Sequence, residues 1–182
     1  MAKTMKAKKI SLNLLHNLLI RSPDIKGKDE SVKLSNFFRA VKKPLRDILD
    51  ERAELNKAVN EKIAPEQKAF AELWEKIEPL QKVEKLSEAS ALELAKLKEQ
   101  VRINQNKADV KTKKETEALT KLNERLDKEE GEAVFDNEDF LYMESLFKGN
   151  PQVFFGGKTS DGKDALSLSD MDIVFELFET AK

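Results

Sequence analysis

Between Gly27 and Gly131 the chain contains no glycine, and over residues 31–126 its apolar residues recur at helical spacing. Leu34, Phe38, Val41, Leu45, Ile48, Arg52, Leu55 and Val59 alternate steps of four and three, and Arg52 is the one polar member of the row. Such steps keep returning to one side of a 3.6-residue helix, so these positions form a seam with Lys, Arg, Glu and Asp on the outer faces. A helix with one apolar seam must bury it, and residues 66–86 and 89–126 supply further helices to do so. We therefore read a mainly α protein with an elongated helical hairpin or three-helix coiled-coil body over residues 31–130. A basic segment with a short helix precedes it (residues 1–30), and a small acidic, aromatic α+β lobe follows (residues 131–182).

Charge narrows the function classes. With 182 residues and a net charge of −1, no global field points to nucleic acid or a membrane surface. The local balance is uneven. Residues 1–43 hold eleven Lys/Arg against three Asp/Glu, and residues 129–182 hold four against thirteen. Either the two ends attract each other or each faces a partner of opposite charge. There are no cysteines, which excludes disulfides, thiol catalysis and thiolate metal sites and fits a reducing compartment. No apolar run approaches the ~20 residues of a membrane span. Residues 10–20 are interrupted by Asn13, His16 and Asn17 and lack a small-residue cleavage site, so no signal peptide is expected. The expected setting is the cytoplasm, with no membrane contact.

In chain order, residues 1–9 read as a mobile lysine-rich start, and Ser11 can cap a short helix carrying Leu12, Leu15, Leu18 and Leu19 on one face. Pro23 ends that helix, because proline disfavours helical geometry in the residue before it. The first long helix is expected from about 29 to 62. Pro44 must kink or break it, and the unchanged phase of the seam favours a kink. Pro65 reads as the first turn of a second helix whose buried face is Phe70, Leu73, Trp74, Ile77, Leu80 and Val83. Ser87 caps the third, with Leu94, Leu97, Val101 and Ala108 inward. Between Asn104 and Glu117 the apolar signal thins to Ala108 and Val110, as in a solvated arm or a hairpin tip. Gly131 reads as the C-terminal breaker.

Five of the ten phenylalanines fall between Phe135 and Phe155. Asp136 and Asn137 can cap a helix holding Phe140, Leu141, Met143, Leu146 and Phe147. Residues 153–155 and 165–168 read as a hairpin, and Ser169 caps a final helix with Met171, Val174, Phe175 and Phe178 inward.

No motif carries convincing chemistry, and no catalytic residue, metal ligand or cofactor is assigned. Gly156, Gly157, Lys158 and Thr159 suggest a phosphate loop, but Gln152 stands where its first glycine is needed and the following residues read as a turn. Asp161–Asp164 and Asp170/Asp172 lack the spacing and terminal glutamate of a calcium loop. His16, the one histidine, has no acidic residue or cysteine beside it and reads as a surface or half-buried side chain. The helical carboxylates and lysines, such as Glu72 with Lys76, are spaced as surface ion pairs.

The opening Ile10-Ser11-Leu12-Asn13-Leu14-Leu15, the Lys26-Gly27-Lys28 turn and the long charged helix from Ser35 resemble a family of small uncharacterised proteins encoded by tailed bacteriophages. The resemblance covers the first 60 residues and the general layout. This chain has a longer central coiled-coil region. The resemblance implies a viral protein acting in a bacterial cytoplasm through protein contacts, and it brings no catalytic residues. We accordingly expect a non-catalytic protein-binding protein, an inhibitor or adaptor acting on a host, defence or viral protein. The expected partner-binding residues are Lys8, Lys9, Arg21, Lys26 and Lys28 at the basic end and Phe140, Tyr142, Phe154 and Phe155 in the aromatic lobe. Two alternatives are an assembly protein that forms a homo-oligomer through its coiled coil, and a nucleic-acid-binding accessory protein using the basic N-terminus.

Overall fold

The computed structural model describes residues 2–21, 28–83, 87–149 and 168–182. Strand β1 (Lys3–Lys8) leads into α1 (Lys9–Arg21) and α2 (Lys28–Lys42). A 3₁₀ turn (Lys43–Leu45) joins α2 to α3 (Arg46–Gln81). Next come α4 (Glu88–Lys128), strand β2 (Glu130–Phe135), α5 (Asn137–Gly149) and α6 (Leu168–Glu179). The mainly α reading holds. The chain forms two compact units, Met1–Asp50 with Leu122–Lys182, and Glu51–Lys121. The basic start and the acidic end thus belong to one unit rather than to separate segments divided at residues 30 and 130.

In the first unit, the lysine-rich start is a strand and not a mobile tail. β1 pairs antiparallel with β2, with Met5 opposite Ala133 and Lys6 opposite Glu132. Alternation explains both sequences. Met5, Gly131, Ala133 and Phe135 are buried, whereas Lys6, Lys8, Glu130, Glu132 and Val134 are exposed. On the exposed face Lys6 Nζ lies 3.4 Å from Glu132, and Lys8 approaches Asp127 at 3.9 Å. Each such exposed pair is worth roughly 0–1 kcal/mol, so the buried face and the ladder hold the ribbon more than its charges do. Gly131 does not serve as a helix breaker, since α4 has already ended at Lys128. It lies inside β2, where an added Cβ would stand 2.9 Å from Leu12 Cδ1 and 3.1 Å from Pro44 Cβ.

The core of this unit is aromatic. The Phe37 ring stacks on Phe135 (4.5 Å) and Phe178 (5.7 Å). Phe140 and Phe147 close on Phe178 at 5.4 and 5.0 Å. Leu12, Leu15, Leu18 and Leu19 of α1 are buried as their common face requires, and Met143, Val174 and Leu177 complete the packing. At Pro44 the helix breaks into a 3₁₀ turn, yet Val41, Leu45 and Ile48 are all fully buried, so the seam passes through the break in phase.

The second unit contains the antiparallel helical hairpin. Leu73, Ile77 and Leu97 are buried at its centre, with Leu80, Leu94 and Val101 packed around them. Ser87 caps α4, its Oγ accepting from the Ser90 N–H at 3.2 Å. The expected start of a new helix at Pro65 is corrected, because α3 runs unbroken through both Pro65 and Pro79. Both prolines are exposed, so the carbonyl each leaves unbonded one turn back can face water, and the apolar positions on either side stay in phase.

The stretch from Asn104 to Glu117 is a solvated helical arm and not the hairpin tip. It lies inside α4, and two ion pairs replace the missing apolar contacts there. Lys62 donates to Glu115 at 2.7 Å and Lys111 to Glu66 at 2.5 Å. A step of four along α3 is matched by a step of four back along α4, which fixes the antiparallel register.

Hydrogen bonds from Lys111 and Lys62 hold the Glu66 and Glu115 carboxyls below the usual carboxylate range. A depressed folded-state pKa gives stability that is present above the unfolded value and lost as pH falls through the folded one. Unit two should therefore loosen between about pH 4.5 and the depressed pKa values of the two glutamates. Thermal melts of the Lys62→Met/Lys111→Met variant should lose that part of the acid dependence. Unchanged acid dependence would refute this role.

Candidate protein-binding faces

Six of the nine residues expected to bind a partner are among the described residues. Lys9 is engaged within the fold, its ammonium donating to Glu129 at 2.7 Å. Lys9, and Arg125 after it, hold the Glu129 carboxyl below its usual range. Lys8 remains exposed apart from its long contact with Asp127. Arg21 ends α1 and Lys28 begins α2, while Lys26, Phe154 and Phe155 lie outside the described residues, as do the Gly156–Thr159 motif and the expected hairpin. Phe140 is buried in the aromatic core. Tyr142 is half-buried beneath the Lys33 ammonium, 5.3 Å from the ring centre, and burial pushes its hydroxyl pKa up, with Glu30 adding to the effect. Lys6 and Lys9 meet Glu132 and Glu129, so the two ends do attract each other within the fold.

His16 is more buried than expected, at 5% exposure, and its ring stacks on Phe38 at 4.9 Å. Neither ring nitrogen has a hydrogen-bond partner by geometry. Burial lowers its pKa, with the Lys42 charge acting in the same direction and the neighbouring Asn17 amide opposing. It packs in the first unit against Phe38. No group of three or more His, Cys, Asp or Glu among the described residues is arranged to hold a metal ion. No described helix is long and apolar enough to cross a membrane.

The sequence reading placed Phe70 and Trp74 on the buried face of α3. That is corrected, because they are 37% and 46% exposed, with rings stacked at 5.9 Å. The reason is angular. Ile63, Phe70, Leu73, Trp74, Ile77 and Leu80 spread over an arc wider than one facing helix can cover. α4 covers the side holding Leu73, Ile77 and Leu80 and leaves the flank with Phe70 and Trp74 open. The width of that arc is the signal that could have identified these residues from sequence.

Beside them, Ile63, Gln67, Phe70, Gln105 and Ala108 line a shallow groove of about 200 Å³ between α3 and α4. Its floor is apolar, and its rim carries the amides of Gln67, Asn104 and Gln105 and the Lys111-paired carboxylate of Glu66. Such a surface can bind an apolar side chain while the amides satisfy a backbone. No family model, curated protein or solved structure matches this chain.

Proposed function

We propose that this is a non-catalytic protein-binding protein, an inhibitor or adaptor of a protein partner, in keeping with the phage-like character that its N-terminal resemblance implies. The observation that supports the reading is the exposed, stacked Phe70–Trp74 pair beside an apolar groove on a helical hairpin. Aromatic residues dominate the energetics of protein interfaces, and Trp in particular anchors them. The partner that fits is a helix presenting an apolar side to this groove. The coiled-coil alternative has less support, because α4 already covers the seam of α3 within one chain. The nucleic-acid alternative has less support as well, because Lys6, Lys8 and Lys9 all meet carboxylates.

The test is capture from a bacterial lysate by the tagged full chain, with the eluate mass measured by light scattering. One protein should be retained in stoichiometric amount by the native chain. It should be lost, at least tenfold, from a Phe70→Ser/Trp74→Ser variant with an unchanged helical spectrum, a loss of about 1.4 kcal/mol or more. Equal capture by the variant would move the binding site off the hairpin. A self-assembled oligomer without a partner would favour the assembly role.

A further inference from the structure

β2 is the edge of a two-stranded ribbon, and among the described residues no strand pairs with its outward side. Thr4 exchanges both backbone hydrogen bonds with Lys182, so its peptide groups point away from β2. By antiparallel alternation, Lys3, Met5 and Ala7 bond toward β2, where they face Phe135, Ala133 and Gly131. The N–H and C=O groups of Glu130, Glu132 and Val134 therefore point the other way, where the sheet has no further strand among the described residues. The side chains of these three residues are also exposed.

Where β2 ends, Ala2, Asn36, Asp136, Asn137, Glu138 and Asp139 line an acidic concavity. Asp139 lines it while only 8% exposed, and among the described residues its carboxylate has neither a hydrogen bond nor an ion pair. A carboxylate without such a partner can take a charge-assisted hydrogen bond from a cationic group seated against it. The first turn of α5 tolerates acidic residues, which accounts for Glu138 but not for an unpartnered, buried neighbour.

We propose that the outer edge of β2 and the concavity at its end take an extended, basic segment of a partner protein as a third strand. β1 already displays the matching chemistry on the inner edge, with Lys6 directly opposite Glu132 and its ammonium 3.4 Å from the carboxylate. A second copy of β2 is a poor occupant, because antiparallel self-pairing centred on Glu132 would set that residue opposite itself. The fitting segment carries Lys or Arg at alternate positions facing Glu130 and Glu132. Its last basic residue reaches Asp139. Its intervening residues are small or apolar, continuing the side on which Gly131, Ala133 and Phe135 lie. This inference is independent of the hairpin face.

The test uses the full ¹⁵N-labelled chain and a capped peptide alternating Lys and Val, with the same peptide carrying Glu for Lys as control. The Lys peptide should shift the amides of Glu130, Glu132, Val134 and Asp139 together and saturably, and binding should weaken as salt rises. Val134→Pro removes one outward donor without touching the ladder to β1 and should weaken binding about tenfold. Glu130→Gln/Glu138→Gln should weaken it several-fold with the ladder intact. The proposal is overturned by the absence of a saturable shift, by shifts mapping elsewhere, or by equal binding of the Glu peptide. It is also overturned if both ladder-intact variants bind normally, or if the edge pairs with a second copy instead.

Discussion

Phe37→Ala should cost about 3–5 kcal/mol, a large share of the roughly 5–15 kcal/mol that holds a domain of this kind together. The ring is fully buried and stacks on Phe135 from β2 and Phe178 from α6, so one truncation opens a cavity among three elements brought together from distant parts of the chain. Neighbouring Phe38, by contrast, is only partly buried against His16. The chain provides a probe for each unit, because its single Tyr142 lies in the first and its single Trp74 in the second. Urea unfolding followed by the near-UV signal of Tyr142 should show the full loss, with a smaller displacement of the Trp74 fluorescence transition. A Tyr142 midpoint within about 0.5 kcal/mol of the native protein would mean that Phe37 is not central to the core.

Met5→Asp should be as damaging. Met5 is fully buried at the centre of β1, opposite Ala133, and an aspartate there would bring an unpaired charge into the core. Such changes exceed about 4 kcal/mol, and the expected result is a chain whose first unit no longer folds. Lys6→Gln/Lys8→Gln alters only exposed side chains of the same strand and should move stability by no more than about 1 kcal/mol. Amide hydrogen exchange across β2 distinguishes the two, with protection lost in the first variant and kept in the second. Persistent protection in Met5→Asp would show that β1 does not hold the unit. The comparison also bears on nucleic-acid binding. Deleting the basic start would remove any activity by unfolding, so only the lysine-to-glutamine variant isolates the contribution of its charge.

Much of the helical architecture was legible because its signal is local. The seam through Val41, Leu45 and Ile48, the Ser87 cap, and the inward face of α1 each follow from spacing within a few turns. Pro65 misled because a proline states only what one backbone position loses. Whether the helix stops there depends on whether the freed carbonyl is solvated and whether packing continues beyond it. Phe70 and Trp74 misled for a related reason. Periodicity gives the direction of an apolar arc, while the number of covering helices decides how much of that arc is buried.

The candidate sites were the least legible. Lys8 and Lys9 look like a free basic patch until β2 and Glu129 are placed beside them, across a separation of about 120 residues in sequence. Phe140 looks like an exposed aromatic of an acidic lobe until Phe135 and Phe178 close over it. By itself the sequence determined a mainly α chain, the Ser87 cap, the inward face of α1 and opposite charges at its two ends, since propensity, periodicity and charge are carried by neighbouring residues. Only the tertiary structure decided that the two ends form one unit around a β-ribbon, that ion pairs set the hairpin register, that Phe70 and Trp74 are exposed, and that no described strand pairs with the outer edge of β2. Burial and strand pairing depend on residues far apart in the chain, and no local pattern records which surfaces will find a partner.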